Sequence, residues 1–143
     1  MAWAGSDVGV VLLVVATTLH AGFQLTVTCV VYPALAAVEP GAWSVAHDAH
    51  SRAITPVVLL TYAGLLLGVA AALWDRPADL WVWVAVGGVL LTFAATALGA
   101  APTHSKLGRE WRADLVRQLI LADRIRLVGA LVAVLASSAA LLT

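Results

Sequence analysis

The chain has 143 residues, 62% of them hydrophobic and only 11% charged, with no net charge at pH 7. Its mean hydropathy is +0.98; a water-soluble domain carries about twice that share of charge, so composition argues against one and offers nothing for nucleic acid to bind. The single cysteine, Cys29, excludes an intrachain disulfide.

The first apolar run covers about residues 8–32. No Lys or Arg precedes it, and it carries His20 and Gln24. It therefore reads as a retained membrane span rather than a cleaved leader. Thr17, His20, Gln24 and Thr28 recur at spacings of three and four, so they share one helix face. His20 lies near mid-bilayer, and Gln24 and Thr28 lead from it towards Tyr32. Such a stripe serves either as an interhelical hydrogen-bond seam or as one wall of a polar cavity.

Pro40 and Gly41 predict the start of a short helix over 41–54 that lies at the membrane interface. It contains His47-Asp48-Ala49-His50-Ser51-Arg52, which sets His47 and His50 at i and i+3 on one side. The pair reads as solvated surface or as two ligands for a shared metal. The second span follows at about 56–74, with Gly64 and Gly68 at the G-x-x-x-G spacing of a packing face. Asp75-Arg76-Pro77-Ala78-Asp79 is a tight polar turn, so spans two and three are expected as an antiparallel hairpin.

The third span, about 80–101, is expected to end at Pro102, with His104 just beyond it and Thr92 and Thr96 leading up to it. From about Gly108 the chain reads as one long helix whose charged first part runs into a fourth span at about 119–142. Asp123-Arg124-Ile125-Arg126 falls in the first turns of that span. Asp123 and Arg126 form an i, i+3 pair, while Arg124 points elsewhere, towards headgroups or an anionic substrate.

Each run has the roughly 19–25 residues an α-helix needs to cross a hydrocarbon core, and no alternating short strands suggest a barrel. The expected fold is all-α: an integral membrane four-helix bundle forming a single domain over 1–143, with a short interfacial helix between spans one and two. Trp3, Trp43, Trp74, Trp81, Trp83 and Trp111 fall at span ends, as an aromatic belt requires. Arg52, Lys106, Arg109, Arg112, Arg117, Arg124 and Arg126 lie on one side and Arg76 alone on the other. The positive-inside rule puts the first side in the cytoplasm and both termini outside.

All four histidines, with Gln24 and Asp123, fall in or beside the cytoplasmic half of the bundle. A bundle gathers facing side chains into a common interior, so one pocket open to that side is expected. His47, His50, His104 and Asp123 are the candidate catalytic groups. His20, Gln24, Tyr32, Arg124 and Arg126 are the candidate substrate-binding groups.

Ala21-Gly22-Phe23-Gln24-Leu25-Thr26-Val27 followed by Tyr32-Pro33-Ala34-Leu35 resembles the first helix of the anthrone oxygenase-like family of small membrane proteins. Pro102-Thr103-His104-Ser105-Lys106-Leu107, then Trp111 and Asp123-Arg124-Ile125-Arg126, resembles its later part in order and spacing. An asparagine is common in that family where His104 stands and near Asp123. The resemblance implies a four-span bundle and, for some members, oxidation of an anthrone to an anthraquinone with molecular oxygen.

The leading expectation is an oxygenase-type oxidoreductase acting on a lipophilic aromatic or polyketide-like substrate that enters from the bilayer. A neutral histidine takes a proton, and an arginine or Gln24 stabilises the oxyanion. This route needs no cofactor, with oxygen as co-substrate; a related acid–base reaction, such as a cyclisation or isomerisation, would use the same groups. A second expectation fills the pocket with a metal or haem held by His47, His50 and His104. A third is a non-catalytic scaffold or accessory subunit built on the Gly64/Gly68 face. The partners implied are the lipid bilayer and a lipophilic small molecule, not nucleic acid; a homo-oligomer stays open.

Overall fold

The computed structural model describes residues 7–143, and among these it is helical with no strand. Four helices are long and apolar enough to cross a membrane: α1 (Val8–Ala36), α2 (Trp43–Asp75, entered through a 3-10 turn at Pro40–Ala42), α3 (Leu80–Leu107) and α4 (Ala113–Leu142). Their outer faces carry large apolar side chains in the open, among them Leu19, Leu60, Leu67, Leu98 and Leu135. A water-soluble monomer does not expose apolar surface on that scale, which suggests a multi-pass membrane protein.

The helices run longer than the apolar runs, and three prolines explain how. Pro102 is expected to end span three, yet α3 continues to Leu107, and α1 likewise runs through Pro33 to Ala36. Each contains one wide π turn, Val27–Val31 in α1 and Thr96–Ala100 in α3, and each π turn ends two residues before a proline. Proline lacks an N–H and its ring crowds the carbonyl four residues back. A local π adjustment absorbs both effects without ending the helix.

Pro56 lies inside α2, which passes through it as one helix of 33 residues. The segment expected as a separate short interfacial helix over 41–54 is therefore the first third of α2. The opposite correction applies before α4. Gly108 to Arg112 is a turn, and α4 begins only at Ala113. Gly108 closes α3 by donating its N–H to the His104 carbonyl, 2.9 Å. Arg112 is extended and paired to Asp114 at 2.8 Å, which puts a carboxylate in the first turn of α4, where the helix dipole favours it.

Packing order differs from chain order. α1 packs on α2 and on α4, and α3 packs on α4, whereas α2 and α3 touch only sparingly. The 76–79 turn joins α2 to α3 as expected, but the hairpin splays. Tyr62 on Phe93 (ring centroids 4.6 Å apart) and Leu65 on Val89 close its middle.

The turn end is tied down by charge. Arg76 pairs with Asp7 and, at 3.5 Å, with Asp79, and it donates to the Ala140 carbonyl at 2.8 Å. Asp75 accepts from the Gly9 N–H at 2.7 Å, and Asp79 caps α3 through the Trp81 N–H at 2.8 Å. Trp74, Trp81, Trp83 and Trp111 are exposed near helix ends, as a belt requires, but Trp43 is buried. Trp3 lies outside the described residues.

Glycines set two close helix crossings. A Cβ on Gly9 would collide with the Ala71 carbonyl oxygen, and one on Gly88 would meet that of Gly129 at 2.6 Å. Gly88→Ala is expected to destabilise the fold by about 1–3 kcal/mol, because backbone cannot yield as a side chain does. Its neighbour Gly87 has nothing within 4 Å of an added Cβ, so Gly87→Ala should leave unfolding in mixed detergent micelles unchanged or slightly harder. Equal behaviour of the two variants would contradict the crossing. The G-x-x-x-G pair is not one face: Gly68 packs on Leu13, whereas Gly64 meets open space.

Candidate functional site

Away from the 76–79 turn, three helices bring side chains to a common point. Tyr32 comes from the end of α1, His47 and His50 from the first turns of α2, and His104 from the end of α3. The extension of α3 through Pro102 is what carries His104 inward, one helical turn beyond the π turn. His104 is the hub. Its Nδ1 lies 3.0 Å from His47 Nε2, and its Nε2 lies 3.0 Å from the Tyr32 hydroxyl. The His50 ring stacks on it with centroids 5.9 Å apart and planes 22° apart.

The chain Tyr32–His104–His47 is consistent with protons running in either direction. When Tyr32 donates to Nε2, His104 donates from Nδ1 to His47; reversed, His47 donates to Nδ1 and His104 to the phenol oxygen. Beyond His47, its Nδ1 lies 3.8 Å from the carboxylate of Asp48, which is exposed. Trp43 holds the outer imidazole. Its ring stacks on His47 at 5.6 Å, and its N–H donates to the Leu107 carbonyl at 3.0 Å.

The splay of α2 from α3 leaves a cleft of about 290 Å³ beside this hub, at the lower end of the range for small-molecule sites. Its polar wall is Tyr32, His50, His104 and Arg126. The rest is mainly apolar, with Ile54, Val58 and Leu59 on α2 and Ala100 and Ala101 on α3. Leu59 is 65% exposed, so the mouth opens sideways onto the apolar outer face rather than along the bundle axis. Both π turns contribute to the wall, through Val27 and through Thr96 and Ala100.

Asp123 does not line the cleft. It is buried behind Arg126, and each of its oxygens is taken: Gln24 donates to Oδ1 at 2.6 Å and Thr28 to Oδ2 at 2.6 Å. Arg126 approaches Oδ1 only to 3.9 Å. Gln24 is thus spent on Asp123 and not on the cleft. Thr17 bonds Ser137 of α4 at 2.8 Å. The polar stripe of α1 is therefore an interhelical seam for Thr17, Gln24 and Thr28.

His20 is buried against Tyr62 (5.5 Å between centroids), away from the cleft wall, and neither ring nitrogen has a partner. Arg124 is exposed on the outside of α4. Of the candidate groups, the fold gathers Tyr32, His47, His50, His104 and Arg126, and it sets His20, Gln24, Arg124 and Asp123 outside the cleft. Among the described residues no group of three or more His, Cys, Asp or Glu side chains is placed to hold a metal ion. His47 and His104 turn nitrogens on each other instead.

Three contributors were not singled out from the sequence. Ser51 and Thr55 line the cleft wall, and Tyr62 bonds Thr96, another lining residue, at 2.5 Å. Ser51, Thr55, Val58 and Tyr62 follow spacings of three and four, so one face of α2 already carried the signal. Comparisons of the chain with protein-family models, with curated proteins and with solved structures found no match.

Proposed function

We propose that this is a multi-pass membrane enzyme that performs acid–base chemistry on a lipophilic, weakly acidic substrate entering the α2–α3 cleft from the bilayer. The positive-inside rule sets the cleft in the cytoplasmic half and the 76–79 turn on the outer side. The observation that carries the reading is the hydrogen-bonded Tyr32–His104–His47 chain at the wall of an apolar cleft. A packed bundle needs no such chain, and polar groups are costly at that depth.

The steps follow from the geometry. A substrate C–H or O–H made acidic by a neighbouring carbonyl or ring gives its proton to the Tyr32 oxygen as Tyr32 passes its own to His104 Nε2. His104 releases its Nδ1 proton to His47 Nε2. The net result is a substrate anion in the cleft and a proton two rings away, next to Asp48. Arg126, which lines the same cleft as Tyr32, stabilises the developing oxyanion. His50 covers the face of His104 and keeps a ring nitrogen unspent.

The resemblance to anthrone oxygenase-like proteins extends this to oxidation. The carbanion adds molecular oxygen, and the hydroperoxide loses water, so a CH2 group and O2 give C=O and H2O. The substrate is then an aromatic or polyketide-like lipophile, and no metal or haem enters these steps.

Purified protein in oxygenated nanodiscs with a lipophilic anthrone is expected to consume substrate and oxygen one for one. Alanine at His47 or His104 should cut the consumption by about 10²–10⁴-fold. Full activity in both variants would remove the acid–base reading. A cellular phenotype that ignores all four histidines but responds to Gly68 would favour the scaffold instead.

A further inference from the structure

Arg126 is 4% exposed, among the least solvated cations a protein holds, and it stands on the cleft wall. Its Nε is buried with no partner. Among the described residues it pairs only with Asp123, which lies 3.9 Å away and has given both oxygens to shorter bonds from Gln24 and Thr28. A guanidinium offers five donors in a planar fork suited to an oxyanion. Proteins satisfy the great majority of their buried polar groups, because an unmet donor is costly away from water. Arg126 lines the cleft with its Nε donor still unmet.

The rest of the cleft limits what carries that oxyanion. Ile54, Val58, Leu59, Ala100 and Ala101 offer only apolar contact, and the mouth opens on the outer face. A volume of about 290 Å³ holds one head and the first part of one body, not two acyl chains. Among the described residues no carboxylate lines the wall, so a cationic or zwitterionic head has no counter-charge from them.

We infer that the ligand of this cleft is a single-bodied lipophilic oxygen acid, bound as its anion by Arg126 with its apolar body leading out between α2 and α3 into lipid. The inference rests on the same cleft as the proposed enzyme but concerns ground-state binding, not turnover. A carboxylic acid and an acidic phenol or enol share this chemistry.

The test is equilibrium binding to purified full-length protein in phosphatidylcholine nanodiscs. One pair of probes is a fluorescent long-chain fatty acid and its methyl ester; the other is a naphthol with an acidic hydroxyl and its methyl ether. At least one acid should bind about tenfold or more tighter than its neutral partner, as one charge-assisted pair in a desolvated site provides. The pair that shows the preference identifies the head. Arg126→Gln should erase the preference and Arg126→Lys keep part of it.

Equal binding of acid and neutral partner in both pairs overturns the inference, and that arm needs no variant to fold. A preference that survives Arg126→Gln in folded protein overturns it as well. A protein that shows the preference but turns over nothing supports the inference and sinks the enzyme reading. Turnover without the preference does the reverse.

Discussion

Asp123→Ala is expected to cost about 3–5 kcal/mol of stability, the largest loss from any single side chain in the bundle. The carboxylate is 1% exposed and accepts from Gln24 and Thr28 on α1, and it is the counter-charge to Arg126 one turn along α4. Removing it strands two donors and leaves a buried guanidinium unmatched, each a cost that water cannot relieve. Asp123→Asn keeps the shape and one of the two acceptors, so its loss should be smaller, set by the missing charge and the other acceptor. Replacing the pair together, Asp123→Leu with Arg126→Met, removes both charges and should recover a large part of the loss. Denaturation by SDS in mixed micelles reads all three. Near-additive losses in the double variant would show that the two side chains do not share one network.

The bundle itself was legible, because a bilayer-long apolar run has one economical solution. His104 beyond span three, the His47/His50 spacing and the Asp123–Arg126 pair all pointed towards one end of it. Periodicity could not tell how two helices pass a proline. Pro102 reads as a stop, yet the π turns before Pro33 and Pro102 carry Tyr32 and His104 inward, and the site exists only because the helices continue. Packing partners were hidden too. A five-residue turn between spans two and three suggests neighbours, whereas α1 and α4 form the central pair and α2 and α3 part to make the cleft. His20 was the most misleading residue. A mid-span histidine signals a polar cavity by its cost alone, but this one lies against Tyr62, outside the cleft.

Tyr32→Phe is expected to lower turnover of the lipophilic substrate by about 10²–10⁴-fold, the usual weight of one positioned acid–base group. The substitution removes a single oxygen. The ring keeps its contacts with His50 and His104, and no charge changes, so KM should move little while kcat collapses. His104→Ala should do as much damage, because Tyr32 then has nowhere to send its proton. The two together should be no worse than either alone, since a relay broken at one link gains nothing from the other. His47→Gln is the discriminating variant. An amide can still face His104 Nδ1 and hold the ring, but it cannot carry a proton onward. If His47 serves only to orient His104, turnover should survive that change; if protons leave through it, turnover falls with binding intact. Additive losses at Tyr32 and His104 would instead mean two independent contacts with substrate, and the hydrogen-bonded chain would then be a packing feature of the cleft wall.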